Sequence, residues 1–137
     1  MPSLTGVIET SLYVDDLDRA SQFYEELFDL QRIAGDARIR AYDVGGRSVL
    51  LLFRRGASKK ASELPGGVIV PHDGSGELHL AFSIRTEELG EWERSLETRG
   101  IAVEQRIHWP RGGTSLYFRD PDDNSVELAT PGVWSIY

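Results

Sequence analysis

The opening residues alternate between apolar and polar side chains, which predicts a β-strand over residues 6–14. Ile8, Leu12 and Val14 fall on one face of this strand and are expected to be buried. Asp15 and Asp16 follow as helix caps, and after them apolar residues recur at steps of three and four. The residues of this helical stripe are Leu17, Ala20, Phe23, Tyr24, Leu27 and Phe28.

Strand patterns follow the helix. Two short strands are predicted within residues 31–44, separated near Gly35, and an apolar strand is predicted over residues 48–53 after the turn residues Gly45 and Gly46. The first part of the chain therefore has the order strand, helix and three strands.

The same order begins again at residues 78–84 (LHLAFSI), where apolar and polar positions alternate. Thr86 is the predicted cap of a second helix with the stripe Leu89, Trp92 and Leu96, and Gly100 is a helix stop. A strand over residues 101–109 and a hairpin over residues 114–130 complete the unit. Glu9 and His79 are 70 residues apart, as are Asp16 and Thr86, which supports an internal repeat. The pattern predicts an α+β fold of two tandem βαβββ modules, module 1 at about 6–53 and module 2 at about 78–130.

Residues 54–77 are interpreted as a linker, because they are rich in glycine and proline and carry only one short predicted strand, at residues 68–70. Their four cations, Arg54, Arg55, Lys59 and Lys60, are expected to be solvated.

Composition narrows the classes of function. A chain of 137 residues with 40% hydrophobic residues can form one buried core, or two modules that share one. The absence of cysteine excludes disulfides and thiolate chemistry. No signal peptide or membrane span is recognisable, so a soluble cytoplasmic protein is expected. A formal charge of −7 disfavours nucleic acids and anionic membranes and mildly favours neutral or cationic ligands.

Glu127 stands out, because a carboxylate in the middle of a half-buried strand needs a compensating partner. If helices cover the apolar face of each sheet, Glu9, His79 and Glu127 all fall on the opposite face. The repeat places Leu51 at the fourth equivalent position. One imidazole and two carboxylates suit a divalent Mn, Fe, Zn or Ni ion. The alternative is that these are separate, individually satisfied polar groups.

Other side chains are candidates for binding or catalysis. His72 is either a catalytic base above the site or an exposed loop histidine, and Glu127 itself can act as a base. Tyr117 and Arg119 share the face of Glu127 and are predicted to bind substrate, unless Arg119 only pairs with Asp120 or Asp122. The predicted substrate site also includes Leu51, Phe53 and Trp109.

The segments ETSLYVDDLDRASQFYEELFDL, HLAFSI and SLYFRDPDDNSVEL resemble the vicinal oxygen chelate superfamily, which groups glyoxalase I, fosfomycin resistance proteins, extradiol dioxygenases and bleomycin resistance proteins. The resemblance implies a cupped mixed sheet around a metal, helices on its outer face, and a homodimer. It maps the metal ligands onto Glu9, His79 and Glu127. Members commonly have glycine where this chain has Asp123, so a left-handed backbone is expected there.

Two departures from the superfamily pattern narrow the implied activity. Residues 49–53 offer no fourth ligand of the glyoxalase I type, and Glu9 stands where other members have histidine. The resemblance implies a metal-dependent lyase, isomerase, transferase or dioxygenase acting on a small substrate that chelates the metal through adjacent oxygens. The alternative is a metal-free protein of the bleomycin-resistance type that sequesters an antibiotic.

Overall fold

A computed structural model of the chain describes all 137 residues and divides them into two units, Met1–Ser75 and Gly76–Tyr137. The boundary falls inside the segment that was predicted to be a linker. Each unit is built on one four-stranded mixed sheet, as the internal repeat predicted.

The first unit contains β1 (Glu9–Val14), α1 (Leu17–Phe28), β2 (Gln31–Gly35), β3 (Ile39–Val44) and β4 (Ser48–Arg54), and its strands lie in the order β1-β4-β3-β2. β1 runs parallel to β4, and the other pairs are antiparallel. The Asp16 side chain caps α1 by accepting a hydrogen bond from the Arg19 N–H at 3.0 Å. Leu17, Ala20, Tyr24 and Leu27 form the buried stripe of the helix.

The second unit repeats this plan with β7 (His79–Ser83), α2 (Leu89–Thr98), β8 (Gln105–His108), β9 (Thr114–Arg119) and β10 (Ser125–Ala129). Its strand order is β7-β10-β9-β8, with β7 parallel to β10. Its core is formed by fully buried residues from one face of the sheet: Leu116, Phe118, Val126 and Leu128.

The linker region contains a β-hairpin, of which the sequence pattern predicted only one strand. β5 (Ser62–Leu64) pairs with β6 (Gly67–Ile69) as a separate two-stranded sheet in the first unit. Only the second of these strands was predicted, because Ser62–Leu64 has no alternating pattern long enough to be recognised.

Three other details differ from the sequence-based expectation. Ile8 is 65% exposed, because strand pairing begins at Glu9 and Ile8 contributes only its carbonyl, to Val49 N–H. Thr86 does not cap a helix: it starts a 3₁₀ turn, Thr86–Glu88, which precedes α2 without any side-chain cap. β8 begins at Gln105 instead of residue 101, because the Ile101 N–H still bonds the Leu96 carbonyl of α2 and the ladder with β9 starts only at Gln105.

The tight turn between β9 and β10 is held by two side chains. Asp120 accepts hydrogen bonds from the N–H groups of Asp122 and Asn124, both at 2.9 Å. The buried Asn124 amide donates to Asp120 and accepts from Leu78 N–H, also at 2.9 Å, so it ties the turn to the start of β7. Asp123 has a φ of 61°, which confirms the left-handed backbone predicted there.

Neither α1 nor α2 combines the length and hydropathy that crossing a bilayer requires.

Replacing Asn124 by Ala should lower the free energy of unfolding by about 2–3 kcal/mol, because buried hydrogen-bonding groups of Leu78 and Asp120 lose their partner. Urea unfolding monitored by circular dichroism measures this. Asp123→Gly is the neighbouring control and should change stability by less than about 1 kcal/mol, since the glycine suits a positive φ. Equal effects from both variants would contradict the assigned role of Asn124.

Candidate metal centre

Strand register shows how the two units correspond. In the first unit Glu9 pairs with Val49 and Ser11 with Leu51; in the second His79 pairs with Ser125 and Ala81 with Glu127. Glu9 is therefore equivalent to His79, and Leu51 is equivalent to Glu127. This confirms the correspondence inferred from the repeat.

His79 and Glu127 meet on neighbouring parallel strands. The His79 Nε2 atom lies 3.2 Å from Glu127 Oε2, and the carboxylate side chain is only 8% exposed while the imidazole is 53% exposed. Glu127 thus has the nearby compensating partner that its burial requires, and the pair has one face open to solvent.

The hydrogen bond on the other side of the imidazole fixes its tautomer. His79 Nδ1 lies 2.9 Å from the backbone carbonyl oxygen of Ser125. A carbonyl only accepts, so Nδ1 carries a proton. In the neutral imidazole, Nε2 then presents a lone pair to the Glu127 carboxylate, and a cation between the two atoms removes the repulsion. The cation is either a proton on Nε2 or a metal ion, and the Nδ1-to-carbonyl bond is the usual support of a metal-binding histidine.

The other carboxylate oxygen is also held. Ser115 Oγ, which is fully buried, donates to Glu127 Oε1 at 2.5 Å, and Trp109 Nε1 donates to Ser115 Oγ at 2.8 Å. The indole N–H can only donate, so it directs the serine proton toward Glu127. This Trp109–Ser115 relay leaves Oε2 as the atom of Glu127 that faces His79. Trp109 therefore positions Ser115 and, through it, Glu127, and its contact with substrate stays a prediction.

Tyr117 lies directly across the strand pair from Glu127, and its ring stacks on His79 with centroids 6.2 Å apart. Burial raises the pKa of the Tyr117 phenol, and the nearby Glu127 carboxylate raises it further. The Tyr117 phenol therefore stays protonated at neutral pH beside the His79–Glu127 pair.

Arg119 is engaged by acidic partners. Its Nε atom lies 3.0 Å from Glu104 Oε1, and its guanidinium also reaches Glu77 and the carbonyl of Asp123. The geometry makes Arg119 a cross-strand ion pair partner of Glu104, and a substrate anion would have to compete with that carboxylate.

Glu9 stands in the first unit on the wall of a cavity of about 500 Å³. Leu51 and Phe53 line the same cavity, and both were predicted to bind substrate. The chain gathers no group of three or more His, Asp or Glu side chains close enough to hold one metal ion. Within the second unit the structure joins His79 with Glu127, and within the first unit Glu9 lines the cavity.

His72 lies in this cavity as well, half-buried rather than exposed. Its Nδ1 atom is 2.7 Å from the Tyr13 hydroxyl, and its ring packs edge-on against Phe53 at 4.6 Å. Its backbone N–H donates to the Ser58 carbonyl at 2.9 Å. Burial and the Asp73 carboxylate raise the pKa of Tyr13, so the phenol keeps its proton at neutral pH while it hydrogen-bonds His72.

Sequence reasoning missed the residues that support these side chains. Ser115 and Tyr13 share the faces of Glu127 and Glu9, which was visible from alternation alone. The Ser125 carbonyl is a backbone group and has no sequence signal. The pairing partners became visible only with strand register.

Replacing Ser115 by Ala should cost about 1–3 kcal/mol of folding stability, because the buried Glu127 oxygen and the Trp109 N–H both lose their partner. Urea unfolding gives the energy, and a shifted Trp109 indole N–H resonance in NMR spectra reports the broken relay. Ser125→Ala is the matched control, since it retains the carbonyl that binds His79. An unmoved indole resonance in Ser115→Ala would refute the relay.

Comparison with known proteins agrees with this architecture. The family model described as Glyoxalase/Bleomycin resistance protein/Dioxygenase superfamily matches residues 6–128. A crystal structure of lactoylglutathione lyase from Agrobacterium tumefaciens is 34% identical, covers 98% of this chain and 99% of that chain, and has a TM-score of 0.88. Metallothiol transferase FosB of Bacillus licheniformis is 30% identical over 132 residues, 96% of this chain and 79% of the relative. Fosfomycin resistance protein FosX of Listeria innocua is 23% identical and covers 91% of this chain and 89% of the relative. The chain belongs to the glyoxalase, bleomycin resistance protein and dioxygenase superfamily, also called the vicinal oxygen chelate superfamily.

Proposed function

We propose that this protein is a metal-dependent enzyme of the vicinal oxygen chelate type, acting on a small molecule that presents adjacent oxygens to a divalent ion. The observation that carries the proposal is the His79–Glu127 pair, in which Nε2 and Oε2 face each other at 3.2 Å while Ser125 and Ser115 hold the opposite atoms. Tyr117 also hydrogen-bonds the Glu127 carboxylate, and together these contacts hold Nε2 and Oε2 facing each other, preorganised for a shared cation.

Glu9 is the proposed third ligand. It stands at the position equivalent to His79, and the superfamily's ligand positions map onto these three residues. It comes either from the same chain or from a second copy in a homodimer. Imidazole and carboxylate donors suit Mn, Fe, Zn or Ni, and a bound ion of this kind would act as a Lewis acid that stabilises negative charge on substrate oxygens.

The chain's own residues supply proton chemistry around that centre. Tyr117 keeps its proton and hydrogen-bonds Glu127, and this phenol can donate to a substrate oxygen in place of the carboxylate. His72 is fixed by Tyr13 through Nδ1, which leaves its second ring nitrogen to exchange a proton with substrate as a general base or acid. Glu127 can accept a proton at Oε2, because Ser115 occupies only Oε1.

The relatives suggest which substrates to test first. Their names, metallothiol transferase and fosfomycin resistance protein, make metal-dependent transfer of a thiol and reactions of fosfomycin the first activities to assay. Leu51 occupies the position equivalent to Glu127, so the set of protein ligands stops at three. A three-ligand site favours these reactions over a glyoxalase I reaction, which in the superfamily uses a fourth protein ligand.

Protein stripped of metal and dialysed against Mn or Zn should bind about one ion per chain, measured by elemental analysis and by a rise in melting temperature. His79→Ala and Glu127→Ala should each weaken this binding by about tenfold to a hundredfold or more, because each removes a direct ligand. Glu9→Ala should also weaken it.

His108→Ala is the matched control. His108 hydrogen-bonds Thr114 and Arg106 and belongs to no metal-type pair, so its removal should leave metal affinity within about twofold of the original value. Failure of the intact protein to bind any divalent ion, with its fold retained, would sink the proposal and favour metal-free sequestration of a small molecule.

A further inference from the structure

The two ends of the cavity in the first unit are lined by different residues. Glu9, Ser11 and Tyr13 lie along one strand of its wall, and the cavity extends from Glu9 to Tyr13 and His72. Four residues of strand separate Glu9 from Tyr13, or about 13 Å at the rise of a β-strand. The cavity is therefore an elongated site with distinguishable ends.

Its middle is apolar. Leu51 and Phe53 come from β4, Ile39 faces Phe53 from β3, and Leu64 and Ile69 come from the linker hairpin. The ring of Phe53 stacks on Tyr13 with centroids 5.7 Å apart. A volume of about 500 Å³ is that of a typical small-molecule site. This wall suits the body of an organic molecule, a flat ring above all.

Positive charge is concentrated away from Glu9. Arg38 precedes Ile39, and Ile39 pairs with Phe53, which in turn pairs with Tyr13, so Arg38 lies at the Tyr13 end of the cavity. The Arg38 guanidinium donates a hydrogen bond to Ser62 Oγ at 3.2 Å. Lys60 lines the cavity two residues before Ser62. Arg38 has one weak acidic contact, to Asp36 at 3.5 Å, and Glu9 is the only carboxylate among the lining residues.

Two other cations of the linker are paired with carboxylates. Arg55 pairs with Asp15 at 2.8 Å and Lys59 with Asp73 at 3.8 Å, and neither lines the cavity. Lys60 is exposed, in agreement with the expectation of a solvated linker cation, and it also lines the cavity. In a chain with a net charge of −7, two cations at one end of a mainly apolar cavity point to an anion.

We infer that the first unit binds an elongated organic anion, with its apolar body against Phe53 and Leu51 and its anionic group at Arg38 and Lys60. This inference extends the proposed function by naming the part of the substrate that lies farthest from the metal. It rests on the proposed function only in assuming that Glu9 binds the metal. The site prefers molecules long enough to span from Glu9 to Lys60 over compact anions such as inorganic phosphate.

The test uses two fluorescent probes of nearly equal shape: anilinonaphthalene sulfonate, which carries an anion, and neutral phenylnaphthylamine. Titrations are made in the presence of a chelator, so the result does not depend on metal binding. Lys60→Glu should weaken sulfonate binding by about fivefold to tenfold, because an attraction becomes a repulsion at close range, and should leave the neutral probe unchanged. Lys59→Glu is the matched control and should leave both affinities unchanged.

The variant Ile69→Glu tests whether the two probes bind inside the cavity. Ile69 is 48% exposed and lines the cavity, so the variant folds while it places a carboxylate in the apolar wall, and both probes should bind more weakly. Equal effects of Lys60→Glu and Lys59→Glu on the sulfonate, or unchanged binding in Ile69→Glu, would overturn the inference. Loss of metal binding together with the expected probe results would refute the proposed function alone.

Discussion

The burial of the Glu127 carboxylate is the constraint on which the second unit depends. An ionised carboxylate that is 8% exposed must be compensated on both oxygens, and the sheet supplies Ser115 on one side and His79 on the other. Each partner is itself held, by Trp109 and by the Ser125 carbonyl. As a result, Nε2 of His79 and Oε2 of Glu127 are held facing each other, and a shared cation, either a proton or a metal ion, satisfies both.

The two units share one strand register but use it differently. The position of Glu127 in the second unit is occupied by Leu51 in the first. Leu51 cannot pair with a neighbouring polar side chain as Glu127 does, and it lies instead in the apolar wall of a cavity. Glu9 and His72 keep polar groups in that cavity, and Tyr13 fixes His72 by a hydrogen bond of 2.7 Å. The duplicated fold therefore places a His–Glu pair in the second unit and a mainly apolar cavity in the first, for which we propose a cation and an organic ligand.

The sequence was sufficient to predict α1, most of the strands and the repeat, and it placed Glu9, His79 and Glu127 at their strand positions, because alternation and helical periodicity report which face each residue occupies. It failed at Ile8 and Thr86, where strand pairing and a 3₁₀ turn decided the outcome instead of local pattern. It also missed the relay through Ser115, since a small polar residue on a strand has no signal until the register places it beside a carboxylate. The sequence also could not show that the exposed Lys60 side chain lines a cavity, because a charge in a loop has the same sequence signal in either place.

The central claim is that the His79 and Glu127 side chains bind one metal ion directly. X-ray absorption spectroscopy of the zinc-loaded protein measures this most directly, because imidazole ligands give a distinctive multiple-scattering pattern. The account predicts one imidazole nitrogen and carboxylate oxygens at about 2.0–2.2 Å from zinc, with the imidazole pattern lost in His79→Gln. A spectrum of hydrated zinc without imidazole, or an imidazole pattern that persists in His79→Gln, would contradict it.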